Sequence, residues 1–202
     1  AGLPAGRAAI TRPAGGYRIA LVGASTGGPQ AVQTILAGLP GDYAIPVCLV
    51  QHISAGFVNA FATWLDKTTP LRVRLAKQNE RPTPGHVYVA PEDAHLEFGP
   101  TGVMRLTSAP LHGGHRPSVT VAFESAAAAF GSRCIAALLT GMGVDGADEM
   151  RALADAGAMT LAQNAETCVV YGMPRAAVEL GAARHVLSPP AIADTLVEAA
   201  RS

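Results

Sequence analysis

Apolar and polar positions along the chain follow two alternating patterns, one typical of strands and one typical of helices. Short apolar runs at Ile19–Val22, Ile45–Val50 and Cys134–Leu139 indicate strands that are buried on both faces. Between the second and third runs lies an apolar stripe at helical spacing, typical of core packing, formed by Phe57, Phe61, Trp64 and Leu65. The alternation predicts an α/β fold: a doubly wound, mostly parallel sheet with helices on both faces.

The segment from residue 86 to residue 107 departs from this alternation. It contains three short runs, His86–Ala90, Ala94–Phe98 and Val103–Thr107, and a Gly-Pro-Thr-Gly turn separates the last two. Closely spaced strands joined by a glycine turn are typical of a hairpin. We expect an antiparallel edge hairpin that adds strands to the parallel sheet, as mixed sheets allow.

Composition narrows the class of protein. The 202 residues, 49% of them hydrophobic, suffice for one sizeable core, so we expect one domain. The 15 basic and 15 acidic residues cancel, which argues against nucleic-acid binding. No apolar run reaches the roughly 20 residues that span a bilayer and no secretory signal opens the chain, so we expect a cytoplasmic protein without membrane insertion. Cys48, Cys134 and Cys168 form no close-spaced pair, and we expect no disulfide and no metal site.

A serine flanked by glycines follows the first predicted strand. In Gly23-Ala-Ser25-Thr-Gly27 the glycines permit a sharp bend and keep side-chain bulk away from the hydroxyl. Pro29 fits the first turn of a helix, whose free amides would favour a developing negative charge beside the serine. Ser25 is therefore a candidate nucleophile, although a plain turn or a phosphate-binding loop would have the same pattern.

Two later predicted strands also end on residues that suit nucleophilic catalysis. His52 follows the second strand, and Asp145 lies in the turn after the third. Because the carboxyl ends of parallel strands meet at one edge of a sheet, Ser25, His52 and Asp145 can converge there. An imidazole can take the serine proton, and a carboxylate can orient the imidazole. Each residue also has a structural interpretation, His52 as a loop residue and Asp145 as the cap of a helix.

Five segments together carry a family resemblance. They are Gly-Ala-Ser25-Thr-Gly-Gly, Gln51-His52, His115-Arg-Pro-Ser-Val, Thr140-Gly-Met-Gly-Val-Asp145-Gly-Ala and Ala162-Gln-Asn-Ala-Glu-Thr-Cys-Val-Val-Tyr-Gly-Met-Pro174. In this order and spacing, the chain from about Arg18 to its C-terminus resembles the catalytic domain of the protein-glutamate methylesterases of bacterial chemotaxis, the CheB family. The order Ser, His, Asp differs from the Ser, Asp, His order of the α/β-hydrolases.

The resemblance implies a serine esterase that hydrolyses glutamyl methyl esters on chemoreceptors and releases methanol without a cofactor. It implies that Ser25 is the nucleophile, His52 the general base and Asp145 its orienting carboxylate. The backbone amide of Met142 is expected in the oxyanion hole, and Thr26 is expected to line the oxyanion hole or the substrate site. Members of the family can also deamidate receptor glutamines, and the resemblance leaves open whether this chain does.

The resemblance also implies partners and a domain boundary. The expected partners are the methylated cytoplasmic helices of chemoreceptors, together with a receiver domain in the full-length protein or in trans. Residues 1–16, rich in Ala, Gly, Pro and Arg, are interpreted as a linker remnant, and residues 17–202 as the catalytic domain. Two positions depart from the family pattern: Glu149 stands where glycine is expected and Thr120 where an acid is usual. We expect these departures to affect local packing and substrate fit rather than the triad.

Alternatives remain open at this stage. The loop Ser108–Pro117 carries His112 and His115 and is either a surface loop or a substrate contact. A non-catalytic nucleotide-binding domain would use Gly23–Gly28 as a phosphate cradle, but this loop lacks the lysine of a P-loop. A receptor-docking scaffold with a triad that has lost function is the third hypothesis.

Overall fold

A seven-stranded parallel sheet lies at the centre of the protein, whose computed structural model describes residues 12–201. The strands are β1 (Ile19–Ala24), β2 (Val47–Gln51), β3 (Arg72–Leu75), β4 (His86–Val89), β5 (His95–Phe98), β6 (Met104–Thr107), β7 (Cys134–Leu138), β8 (Met159–Gln163) and β9 (His185–Leu187). The helices are α1 (Gly28–Ala37), α2 (Val58–Thr68), α3 (Val119–Phe130), α4 (Ala147–Asp155), α5 (Met173–Glu179) and α6 (Pro189–Ala200), with short 3₁₀ turns at Gly131–Arg133 and Ala165–Thr167. The sheet order is β3-β4-β2-β1-β7-β8-β9, and β5 pairs only with β6.

The predicted doubly wound architecture is confirmed by two hydrophobic cores, one on each face of the sheet. Strand β1 is buried along its whole length, with Ala20 and Val22 in one core and Ile19 and Leu21 in the other. This division follows from the period of two in a strand, which sends successive side chains to opposite faces. The apolar stripes of α1, α2 and α6 complete the first core, and those of α3, α4 and α5 complete the second. Of the stripe predicted to pack in the core, Phe61 and Leu65 are buried, whereas Phe57 and Trp64 are exposed.

The hairpin is present but does not extend the central sheet, so its expected position at the edge was wrong. Strand β4 lies inside the parallel sheet, between β2 and β3, whereas β5 and β6 form a separate antiparallel pair. The reason lies in burial: Leu96, Phe98 and Met104 pack into the second core, beside α3. The antiparallel pair is therefore a layer over one face of the molecule, and β3 and β9 are the edges of the sheet.

The strand order reverses at β1, so that strands formed early in the chain lie on one side of β1 and strands formed late lie on the other. After β1 and β2 the chain forms β3 at one edge and then β4 between β3 and β2, and it later forms β7, β8 and β9 on the other side of β1. In open parallel sheets, ligands bind at the carboxyl ends of the strands where the strand order reverses. The loops that follow β1, β2 and β7 meet at this point.

The predicted linker remnant, residues 1–16, falls mostly on residues 1–11, which lie outside the described residues. Its assignment, and the domain boundary at residue 17, stay predictions. Within residues 12–201, no helix is long and apolar enough to cross a membrane.

Candidate active site

Ser25 lies in the turn between β1 and α1, and its backbone is held from both neighbouring strands. Its amide donates a hydrogen bond to the carbonyl of Thr140, beyond β7, at 3.0 Å. Its carbonyl accepts hydrogen bonds from Nε2 of Gln51, at the end of β2, and from the amide of Gly28, each at 2.8 Å. The side chain is half-buried. The hydroxyl is thus fixed at the edge of the sheet by contacts that the local sequence does not reveal.

The glycines of this turn have identifiable steric roles. Gly27 is the N-cap of α1 at φ +81°, in the left-handed region that favours glycine. A Cβ at Gly28 would lie 2.1 Å from Oε1 of the buried Gln51. Pro29 occupies the first turn of α1, as predicted. The turn therefore brings Ser25 next to the free amides of a helix N-terminus.

His52 follows β2 and is hydrogen-bonded to Asp145. Its Nε2 lies 2.9 Å from Oδ2 of Asp145, and the two side chains are only 10% and 6% exposed. Because the carboxylate can only accept, Nε2 carries the proton of the neutral ring and Nδ1 carries the lone pair. Nδ1 is buried and has no hydrogen-bond partner among the described residues. A basic nitrogen is therefore free on the side of the ring opposite the Asp145 contact.

Ser25 and His52 are adjacent across the sheet. They directly follow Ala24 and Gln51, which are paired in the register of β1 and β2, and the amide of His52 donates to the carbonyl of Ala24 at 2.9 Å. The Ser25 hydroxyl itself makes no hydrogen bond within residues 12–201. Catalytic hydrogen bonds are often formed only when substrate is bound, so this geometry is compatible with a serine and a base that meet in the complex.

Asp145 has a second role, because its carboxylate also caps α3. It accepts hydrogen bonds from the Ser118 hydroxyl at 2.8 Å and from the amides of Val119 and Thr120 at 2.7 and 3.0 Å. The alternative interpretation of this residue as a helix cap is thus partly right, but the capped helix is α3 and not α4, which follows Asp145 in the chain. Capping and imidazole binding together fix both carboxylate oxygens.

These contacts keep Asp145 ionised. Burial alone would raise the pKa of this carboxyl group. The hydrogen bonds from His52, from the amides of Thr120 and Val119 and from the Ser118 hydroxyl outweigh burial and hold the pKa well below its usual range. A fixed negative charge beside His52 stabilises the imidazolium that forms when the ring takes a proton.

The two histidines of the loop between β6 and α3 differ in their relation to the site. The ring of His115 stacks on the ring of His52, with centroids 3.9 Å apart and planes inclined by 7°. Partial burial lowers the pKa of His115 and the nearby His52 lowers it further, while the Asp145 carboxylate opposes this shift. His112 is exposed and is bound to His115 only through backbone hydrogen bonds. The sequence alone does not distinguish His112 from His115, because both lie in the same loop among glycine and proline residues.

The loop that carries Met142 packs directly against the serine. A Cβ at Gly141 would lie 2.7 Å from Cβ of Ser25, so glycine is required for this approach. Met142, next in the chain, is exposed. Thr26 is also exposed, and its carbonyl accepts a hydrogen bond from the Thr140 hydroxyl at 2.9 Å. Both residues therefore lie beside Ser25, and their part in an oxyanion hole stays a prediction.

Three supporting residues had not been given a role from the sequence. Gln51 donates to the carbonyls of Ser25 and His52 and so joins the first two loops of the site. His95 is buried, faces the Pro110 carbonyl through Nε2 and accepts the Ser118 amide at Nδ1. Ser118 belongs to the His-Arg-Pro-Ser-Val segment, the one sequence signal that pointed to this region.

Comparison with known proteins indicates an esterase family, in agreement with the arrangement of Ser25, His52 and Asp145. A family model described as CheB methylesterase matches residues 20–196. A protein-glutamate methylesterase/protein-glutamine glutaminase of Geobacter metallireducens is 46% identical over 180 residues, which are 89% of this chain and 52% of that protein. A second protein of that name, from Pseudomonas aeruginosa, is 48% identical over 186 residues, 91% of this chain and 53% of its own.

A solved structure extends the similarity to three dimensions. The crystal structure of the Thermotoga maritima CheB methylesterase catalytic domain superposes with a TM-score of 0.87 at 36% identity, covering 90% of this chain and 98% of that one. The chain spans about half the length of the curated relatives it matches. From these matches and from the fold, the chain belongs to the CheB methylesterase family.

Proposed function

We propose that this chain hydrolyses the methyl esters of glutamate side chains on chemoreceptors, with Ser25 as nucleophile, His52 as general base and Asp145 as its orienting carboxylate. The observation that carries the proposal is the His52–Asp145 hydrogen bond, which leaves a buried, unpartnered Nδ1 at the end of the strand next to Ser25. Family membership supports the same chemistry.

The first half-reaction forms an acyl-enzyme. Oγ of Ser25 attacks the ester carbonyl carbon while Nδ1 of His52 takes the hydroxyl proton. The resulting imidazolium is stabilised by the ionised Asp145. When the tetrahedral intermediate collapses, the carbon–methoxy bond breaks, the imidazolium gives its proton to the departing oxygen and methanol leaves. In this proposal the N-terminus of α1 and the amide of Met142 stabilise the negative charge on the carbonyl oxygen.

The second half-reaction restores the enzyme. Water attacks the glutamyl-serine ester, and His52 takes one of its protons. Collapse of the second tetrahedral intermediate breaks the bond to Oγ, which recovers its proton from His52, and the free glutamate leaves. The same steps convert a glutamine side chain to glutamate with ammonia as the leaving group. The names of the relatives, which include protein-glutamine glutaminase, favour this second activity.

Exposed apolar side chains on the loops that carry the candidate site support a protein substrate. Large apolar residues are exposed on these loops, and we call them the apolar rim: Phe57, Leu111, Met142, Val144 and Val169. Exposed apolar surface of this kind marks protein-binding sites. We propose that the rim contacts the methylated cytoplasmic helices of the receptor, which places the reaction in the cytoplasm. A receiver domain is proposed as a further partner, and the relatives are long enough to contain another domain of similar size.

The proposal is tested by incubating the protein with a methylated receptor fragment and following methanol release and the mass of the modified peptide. We expect one methyl group to be lost per glutamate, and Ser25→Ala to lower kcat by on the order of 10⁴ or more. Ser54→Ala, which alters an exposed serine in the loop after His52, is the matched control and is expected to be fully active.

A second measurement separates the enzyme from the two non-catalytic hypotheses. A serine-directed fluorophosphonate is expected to label the protein at Ser25, because the reagent requires an activated hydroxyl. A nucleotide-binding domain, or a docking scaffold with a lost triad, would not be labelled. Absence of both labelling and methanol release would refute the proposed function.

A further inference from the structure

The two departures from the family pattern noted in the sequence are in direct contact. Thr120 is buried in the first turn of α3, and Glu149 is half-buried in the first turn of α4. The Thr120 hydroxyl donates a hydrogen bond to Oε2 of Glu149 at 2.8 Å. A side chain from each helix thus joins the two helix N-termini, and both helices begin beside the loop that carries Asp145.

Thr120 also touches that loop at two consecutive residues. Its amide donates to Oδ1 of Asp145 at 3.0 Å. Its hydroxyl oxygen accepts a hydrogen bond from the amide of Gly146 at 2.9 Å. One residue of α3 therefore holds both the carboxylate that orients His52 and the backbone that immediately follows it.

Glu149 determines the direction in which the Thr120 hydroxyl donates its proton. A hydroxyl has a single proton, and here the Glu149 carboxylate accepts it. The lone pairs of the oxygen are then directed to the Gly146 amide, which is buried and needs an acceptor. Without the carboxylate, the Thr120 proton loses the acceptor that fixes the rotation of the hydroxyl, so its lone pairs are no longer held toward the Gly146 amide.

Close packing around Gly146 restricts how far its backbone can move if the contact with Thr120 is lost. Gly146 is the N-cap of α4 at φ +86°, and a Cβ there would lie 2.5 Å from Cγ1 of Val119. The loop is therefore packed closely against the first turn of α3. A shift of the Gly146 amide would be transmitted to Asp145, its chain neighbour.

We propose that Glu149 is a positioning residue for the esterase reaction: through the Thr120 hydroxyl it fixes the loop that carries Asp145, and so the orientation of the carboxylate against His52. The inference rests on the proposed function. Because catalysis is sensitive to small displacements of groups that act in the transition state, the effect is expected in kcat rather than in KM.

The test compares three variants in ester hydrolysis. Glu149→Ala, which removes the acceptor, is expected to lower kcat by about tenfold with KM unchanged. Glu149→Gln, whose Oε1 can still accept the Thr120 proton, is expected to retain kcat within about threefold. Asp148→Ala is the matched control, because it removes an exposed acid from the same helix turn, and kcat is expected to stay within about twofold. Thermal melts check that each variant is folded.

A double-mutant cycle tests whether the route passes through Thr120. Thr120→Val removes the hydroxyl and nearly preserves the shape. If Glu149 acts only through this hydroxyl, the double variant Thr120→Val/Glu149→Ala should be no worse than Thr120→Val alone. Multiplicative losses, or an equal loss in Asp148→Ala, would overturn the inference.

A readout that needs no substrate separates this inference from the proposed function. The proton on Nε2 of His52 is hydrogen-bonded to Asp145, and its NMR resonance reports the geometry of that contact. We expect the resonance to shift or broaden in Glu149→Ala and to be kept in Glu149→Gln and Asp148→Ala. An unchanged resonance and an unchanged kcat in Glu149→Ala would refute the positioning role, whereas failure of the wild-type protein to release methanol would refute the proposed function alone.

Discussion

At the scale of single residues, the candidate site consists of a hydroxyl, an imidazole and a carboxylate, and side chains outside this proposed triad help to orient them. His115 is the clearest example, because its ring covers one face of His52 in a nearly parallel stack. Stacked rings restrict rotation of one another, and the lowered pKa of His115 disfavours a second positive charge beside His52. We therefore expect His115 to support His52 through the flat shape of its ring rather than through its charge.

The first prediction follows from that distinction. His115→Phe keeps a flat ring and is expected to retain kcat within about threefold, whereas His115→Ala frees the His52 ring and is expected to lower kcat by about tenfold or more. His112→Ala, in the same loop but exposed, is the matched control. Equal losses in the Phe and Ala variants would show that His115 acts through its nitrogens instead.

At the scale of elements, the site depends on the junction of α3 with the loop that follows β7. Asp145 caps α3 from a different part of the chain, since 25 residues separate it from Thr120. Because the carboxylate of Asp145 accepts from the first amides of α3 and also binds His52, the stability of α3 depends on the same group as the candidate site. Changes at Asp145 should therefore appear in both activity and folding.

The second prediction uses this double role. Asp145→Asn is expected to lower kcat by on the order of 10⁴, because an amide favours the wrong tautomer of His52. It keeps an oxygen for the α3 amides, so the loss of stability should be smaller than that of Asp145→Ala, which removes the cap at a cost of about 1–2 kcal/mol. Activity and thermal melts on the same samples check this. Near-normal kcat in Asp145→Asn would exclude Asp145 as the orienting group.

Some of the secondary-structure elements and their contacts could be predicted from the sequence, and others could not. Strand and helix periods predicted the doubly wound sheet, and the convergence of strand ends predicted that His52 and Asp145 meet. The location of β5 and β6 could not be predicted, since the same alternation suits an edge strand or a separate pair. The stacking of His115 and the capping of α3 are contacts between distant segments, on which local periodicity carries no information.

At the scale of the whole molecule, the depressed pKa of Asp145 links stability to pH. The folded pKa lies below that of an aspartate in an unfolded chain, about 3.9. The contribution of this group to stability is therefore complete above about pH 5, and it is lost as the pH falls through the folded pKa.

The third prediction is that the difference in unfolding free energy between the wild-type protein and Asp145→Asn is constant above about pH 5 and shrinks below it. Urea unfolding between pH 7 and pH 2 measures this difference. If the difference in unfolding free energy persists unchanged to pH 2, the hydrogen bonds to Asp145 do not lower its pKa in the folded protein.

The apolar rim has a consequence for the behaviour of the protein in solution. The formal net charge of the chain is zero and its isoelectric point is about 7.2, so long-range repulsion between molecules is weakest near neutral pH. Exposed apolar side chains on one edge can then bring molecules together. Moving the buffer away from neutrality restores repulsion, and a charged residue at Val169 would do the same without a change of pH. The surface that is proposed to contact a receptor helix therefore also determines the conditions under which the isolated chain stays monomeric.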